Sequence, residues 1–244
     1  MGQTITQVVA RGLSRAAKAE EKLAKRLDRE PPVDERAAAR ALIGGLWDEM
    51  GKAQIDFMLS QGLQPTDRLL DVGCGSLRGG IHFIKYLEPG HYYGLDRSKT
   101  ILKFAQVELA DAGLVDKRPH LLCDDEFNFG RFDTKFDFAF AQSVFSHLPL
   151  NIIHRCLVQM GSALKPGGVF YATFLENRGE RDHVGTVAFP QPDGPDVLAY
   201  PDRDPFHYHV SFFEDIASTT PLKVEYVGDW GSLRGQSMLA FHRV

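Results

Sequence analysis

The spacing of hydrophobic positions changes character part-way along the chain. Over residues 1–30, Ile5, Val8, Val9, Leu13, Ala16, Ala17, Leu23 and Leu27 recur at helical intervals, which predicts one amphipathic helix. Pro31-Pro32 ends it, because proline has no amide hydrogen to give a helix interior. A second helix is predicted over about residues 35–61, with Leu42, Leu46, Trp47, Met50 and Met58 as its apolar set. The turn from Gly62 to Asp67 stops it. Beyond that turn, short apolar runs alternate with helical stretches. The runs are RLLDV, HYYGL, HLLC, FDFAFA, GGVFYATF, KVEYVG and SMLAF, and the helices fall near 79–87, 98–112 and 150–164.

Strand–helix alternation predicts a parallel sheet covered by helices on both faces. The near-continuous apolar FDFAFA suits a central strand. Only DWGSLRGQ separates the last two runs, too short for a crossover helix, so they should pair antiparallel. The domain division expected is an N-terminal helical extension over 1–61 and one α/β domain over 62–244.

Composition narrows the class. A net charge of -4 gives no basic footprint, so nucleic acid is not an expected partner. No apolar run reaches the length of a membrane span. The three cysteines share no metal-ligand spacing, and reduced, buried thiols in a cytoplasmic protein are their plain reading. Residues 1–30 carry seven Lys/Arg against four Asp/Glu. A homodimer contact or packing on its own domain suits this Ala-rich stripe better than a membrane surface, for it lacks aromatic anchors.

The stretch RLLDVGCGSLRGG is a strand, a bare loop and the start of a helix. Gly73 and Gly75 permit positive φ and a close approach to a ligand, and the free N–H groups of the next helix then face it. Asp71 lies inside the strand, where a dehydrogenase stays apolar, and a carboxylate there suits an ammonium group. Asp96 ends the next strand 21 residues after Gly75, placed to take two ribose hydroxyls. No P-loop lysine follows the glycines. An ammonium and a ribose without a required polyphosphate point to S-adenosylmethionine. Two structural readings stand beside these: Asp71 as a cap for loop N–H groups, and Asp96 as the cap of the helix near Ser98.

From about residue 62 onward the chain resembles the class I S-adenosylmethionine-dependent methyltransferases. LLDVGCG, Asp96 in YYGLD, the acidic CDDE, FDFAFAQSVFSHL and LKPGGVFYATF carry the resemblance in that order. It implies a three-layer Rossmann-like sandwich whose seven-stranded, mostly parallel sheet has an antiparallel last strand. It also implies a cofactor set: Asp71 at the methionine amino group, and Gly73, Cys74 and Gly75 at the close approach. Asp96 and Arg97 fall at the ribose, Asp124 or Asp125 at the adenine amine with Phe127 nearby, and Gln142 and Ser143 at the methyl group. Many members read G-x-G-x-G, whereas here Leu77 takes the third glycine's place. Arg78 then reaches either the cofactor carboxylate or an anionic substrate, or forms a surface ion pair.

Methyl transfer to a hydroxyl needs a base within reach. His147 follows the fourth strand in SVFSHLP. The Pro-, Gly- and Asp-rich segment from Glu176 to His209 reads as a long irregular loop over the site mouth, and such loops carry function. Within it His207 and His209 flank Tyr208 and point the same way if the chain is extended. One of these two is the preferred base, with His147 as the alternative. A metal site built on them with Asp182, His183, Asp202 and Asp204 matches no strong motif, so none is assigned. The expected activity is methylation of a small molecule or glycan, on oxygen by preference and on nitrogen otherwise. A non-catalytic S-adenosylmethionine-binding scaffold is the reading from another class.

Overall fold

The computed structural model describes residues 40, 45–192 and 194–244. The helix expected over 1–30, and the dimer surface placed on it, lie outside these residues. Leu46–Val244 form one compact unit. Helix α1 (Trp47–Ser60) is part of it. Met50, Gln54, Ile55, Phe57 and Met58 line its buried side at the spacing of one helix face. Gly62, at φ 92°, ends the helix, and the Leu63 N–H reaches back to the Met58 carbonyl at 3.1 Å.

Strands β1 (Leu69–Val72), β2 (Tyr92–Asp96), β3 (His120–Cys123), β4 (Phe136–Ala141) and β5 (Leu164–Glu176) follow as the apolar runs predicted. Helices α2 (Gly80–Tyr86), α3 (Lys99–Asp111) and α4 (Leu150–Ala163) lie between them. Ser98 caps α3 by accepting from the Ile101 N–H at 3.1 Å, so this cap is Ser98 and not Asp96. The sheet closes with β9 (Leu222–Gly228) and β10 (Ser237–Arg243). Strand order is β3-β2-β1-β4-β5-β10-β9, with β10 antiparallel to both neighbours. The order reverses at β1, which lies between β2 and β4 in register Asp71↔Gly94 and Asp71↔Phe140. The strand tips at such a reversal open a crevice.

One side of the sheet is filled by Phe145, Leu157, Phe170, Phe174, Phe213 and Phe241, and the other by Phe57, Met58, Phe83, Leu77, Phe140 and Tyr171. These two cores make the three layers. The segment after β5 differs from the expected irregular loop. It holds a hairpin, β6 (Val187–Phe189) with β7 (Val197–Ala199), and the two-residue β8 (His207–Tyr208), which pairs parallel with β5 at Leu175↔His207. Three-residue strands are too short to show alternation against Pro- and Gly-rich flanks. Phe189 and Ala199 of this hairpin bury themselves with Leu175. Helix α5 (Ser211–Ala217) was also not anticipated. Its Phe213 is fully buried, 4.8 Å from the Phe174 ring and 5.9 Å from that of Phe145.

That packing gives a direct test. Phe213→Ala is expected to lose about 3–5 kcal/mol of unfolding free energy, the range for truncating a buried phenylalanine. Urea denaturation measures it, and a loss below about 1 kcal/mol would mean that α5 does not close this core.

Candidate functional site

The carboxyl ends of β1, β2 and β4 meet the loop from Gly73 to Gly79. Gly73 and Gly75 have φ of 72° and 57°, as the close-approach reading requires. A Cβ on Gly73 would lie 2.6 Å from Val144 Cγ2, so the loop threads tightly past the tip of β4. Asp96, at the tip of β2, accepts from the Gly75 N–H at 3.0 Å and from the Ser98 N–H at 2.9 Å. Its carboxylate thus ties the glycine loop to the start of α3. Cys74 is buried with its sulfur against Gly94, and burial pushes its thiol well up, which makes it a packing residue. Arg97 is exposed.

Asp71 is buried, and its Oδ2 accepts from the Tyr92 hydroxyl at 2.6 Å. Burial raises its carboxyl to about 7, the Tyr92 bond pulls it down, Asp96 pushes it up and Arg78 draws it down. Arg78 is buried too and falls to about 10, first through burial and next through Arg234, against the opposing pull of Asp71. Near β3, Asp124 accepts from the N–H groups of Glu126 and Asn128, the Asn128 side chain and Arg131. Burial opposes its ionisation, but these bonds outweigh it and hold the carboxyl below its usual value. Asp124 therefore organises the loop, while Asp125 is exposed. Phe127, at φ 60°, packs in the core beside Phe129.

Gln142 and Ser143 stand at the tip of β4 as expected, yet Gln142 is bound on every side. Its Oε1 accepts from Gln54 Nε2 at 2.9 Å and from Arg78 Nη2 at 2.6 Å, and its Nε2 donates to Ser143 Oγ at 2.7 Å. Ser143 (φ 59°) donates its N–H to Thr173 Oγ1 at 2.8 Å and its hydroxyl to Gln236 Oε1 at 3.0 Å. Thr173 donates to the same Gln236 oxygen at 2.8 Å. Five segments therefore meet in one polar hub: α1, the glycine loop, the tip of β4, β5 and the link between β9 and β10. That link lies at this end of the sheet because Ser237 of antiparallel β10 pairs with Phe174 near the end of β5. Gln54, Tyr92, Thr173, Arg234 and Gln236 were missed by sequence reasoning. Polar side chains scattered over four segments carry no spacing signal.

The three histidines fall in two places. His207 is buried, and its Nε2 donates to the Gly185 carbonyl at 2.8 Å. His209 Nδ1 lies 2.8 Å from Ser211 Oγ and accepts the Ser211 N–H. Both line a cavity of about 170 Å³ with Asn177, His183, Tyr208 and Phe212. His147 is half exposed, and its Nδ1 lies 2.5 Å from Asp204 Oδ1. Such a carboxylate fixes an imidazole's orientation and leaves Nε2 as the acceptor. Among the described residues no group of three or more His, Cys, Asp and Glu is placed to hold a metal ion. No helix among them is long and apolar enough to cross a membrane.

The donor set fits a ribose-bearing cation. It offers one buried carboxyl, one carboxylate at the neighbouring strand tip, and a glycine loop whose one cation, Arg78, is bonded to Gln142. Residues 70–170 match the methyltransferase domain family. A protein described as "Probable methyltransferase ltbC" from Aspergillus luteorubrus is 30% identical over 112 residues, covering 44% of this chain and 39% of its own. The chain thus spans well under half the length of that relative. The CcbJ methyltransferase of Streptomyces caelestis superposes with a TM-score of 0.65 at 14% identity, over 95% of this chain and all of its own. The S-adenosylmethionine-bound amino pentose methyltransferase CalS10 of Micromonospora echinaspora gives 0.60 at 17%, over 88% and 99%. Residues 70–170 are thus similar to a methyltransferase domain, and the described unit shares the fold of these methyltransferases.

Two measurements probe the site without any ligand. Thr173→Val keeps shape but strands the Ser143 N–H and breaks the bond to Gln236, so urea unfolding should show about 1–3 kcal/mol lost. A change under about 0.5 kcal/mol would mean the hub is loosely hydrated. Asp71 holds its proton more tightly folded than unfolded. Stability from that proton is present below about pH 4, the ordinary aspartate value, and is lost as pH rises through about 7. Against Asp71→Asn, the wild-type melting temperature should fall across this interval and then level; parallel profiles would contradict the burial of the carboxyl.

Proposed function

We propose that this domain binds S-adenosylmethionine at the tips of β1 and β2 and transfers its methyl group to a hydroxyl of a small molecule or glycan. The observation that carries the reading is the presence of two acids on neighbouring strands, buried Asp71 in β1 and Asp96 at the tip of β2, where Asp96 accepts the glycine loop's Gly75 N–H. Asp71 takes the methionine ammonium, Asp96 the ribose hydroxyls, Asp125 the adenine amine, and Gly73 and Gly75 allow the backbone to approach. The bound cofactor supplies an electrophilic methyl group on a sulfonium. The chain's own work is alignment and proton removal. His147 is the base preferred over His207 and His209. Asp204 orients its ring, whereas both others spend ring nitrogens on ordering the segment after β5. His147 Nε2 would take the proton of the acceptor hydroxyl. A sugar-like acceptor is supported by the likeness to CalS10, an amino pentose methyltransferase.

Calorimetry with S-adenosylhomocysteine tests the binding half. Asp96→Ala should raise Kd roughly ten- to a hundred-fold, the equivalent of about 1.5–3 kcal/mol for hydrogen bonds to a charged group. Unchanged affinity would remove the ribose assignment. A panel of sugar and phenolic acceptors, scored by released S-adenosylhomocysteine, tests the chemical half. On a turned-over acceptor His147→Asn should leave cofactor affinity intact and lower kcat about 10²–10⁴-fold. Intact binding with no product from any acceptor would favour a scaffold.

A further inference from the structure

Tyr92 opens β2 and is almost wholly buried. Its ring runs along the sheet toward the strand tips and ends beneath Asp71. The corridor it follows exists because two residues have no side chain. A Cβ on Gly94 would stand 3.1 Å from Tyr92 Cε1, and one on Gly80 would stand 2.6 Å from its hydroxyl oxygen. Replacing either glycine would displace the ring from its path. A buried phenol needs an acceptor, and Asp71 Oδ2 provides it at 2.6 Å, the length of a hydrogen bond to a carboxylate. The bond joins the first residue of β2 to the third of β1, so both ends are set on rigid strands.

We infer that Tyr92 is a positioning residue of the cofactor pocket, fixing Oδ2 of Asp71 so that Oδ1 meets the ligand's amino group as a carboxylate at neutral pH. The inference rests on the reading that an S-adenosyl ligand binds here. Asp71 faces Tyr92 and Asp96 from β2, and Arg78 and Cys74 from the glycine loop. Burial and Asp96 favour its protonated form, while Tyr92 and Arg78 favour the charged one. Cys74 stays a neutral thiol. Tyr92 itself is held far from ionising, first by burial and then by Asp71, so it remains a donor throughout. An arriving ammonium group expels the proton from Asp71. Affinity therefore rises as pH increases toward neutrality, and binding below that point releases a proton to buffer.

The test is calorimetry of S-adenosylhomocysteine with the full chain between pH 6 and 8, in buffers of different ionisation enthalpy. Wild type should release a fraction of a proton at pH 6.5, and Asp71→Asn should release none. Tyr92→Phe keeps the ring in its corridor and removes only the hydroxyl. It should move the low-pH limb of the affinity profile upward by half a pH unit or more and raise proton release. That corresponds to about threefold weaker binding at pH 6.5, with near-equal affinity at pH 8. The ligand's own amino group sets the high-pH limb alike in both proteins. Uniform weakening of Tyr92→Phe at every pH with unchanged proton release, or a profile identical to wild type, would overturn the inference and leave the binding site standing. Absence of any binding by wild type would instead overturn the reading it rests on.

Discussion

A carboxyl group sits inside the first strand of a parallel sheet, at the point where the strand order reverses. The arrangement around it follows from making that position tolerable. Flanked by Gly94 and Phe140 in register, Asp71 is removed from water and given one strong donor, the Tyr92 hydroxyl. Gly94 and Gly80 are bare because Tyr92 must reach it. Burial of an acid that is incompletely charged costs stability, and a fold retains such a group where a ligand repays it. Asp96, on the next strand tip, holds the glycine loop open through the Gly75 N–H.

The second constraint is the polar hub at the tips of β4 and β5. Gln142 joins α1 to the glycine loop through Gln54 and Arg78, and Ser143, Thr173 and Gln236 continue the network to the link before β10. Elements far apart in sequence therefore share one rigid floor. Such a floor suits chemistry in which alignment does most of the work. It also places α1 inside the domain.

Much of this was legible in the chain. The seven apolar runs became seven of the eight strands of the main sheet, β8 being the eighth, and the parallel ones among them were visible because buried parallel strands are nearly continuous in hydrophobicity. The shortness of DWGSLRGQ correctly implied an antiparallel pair. Asp71 and Asp96 were visible because a carboxylate inside or just ending an apolar run is chemically conspicuous. The rest was hidden for physical reasons. Tyr92 reads as one more apolar strand residue, since nothing local shows that its hydroxyl meets a residue on another strand. Gln54 meets Gln142 across 88 residues of sequence, and Gln236 meets Thr173, Ser143 and Gln142 across 63, 93 and 94. The hairpin after β5 is stabilised by burying Phe189 and Ala199 on Leu175, a tertiary contact with no periodic trace. Asp124 also holds the loop after β3 and Phe127 packs in the core, contacts that their position in the motif does not announce.

The account stands on two acids at adjacent strand tips holding opposite ends of one nucleoside. A crystal structure of the full chain with S-adenosylhomocysteine examines that most directly. It should show the amino group within hydrogen-bonding distance of Asp71 and the ribose hydroxyls on Asp96, with the sulfur turned toward Gln142 and Ser143. Density for the nucleoside elsewhere, or in the reverse orientation along the crevice, would contradict it.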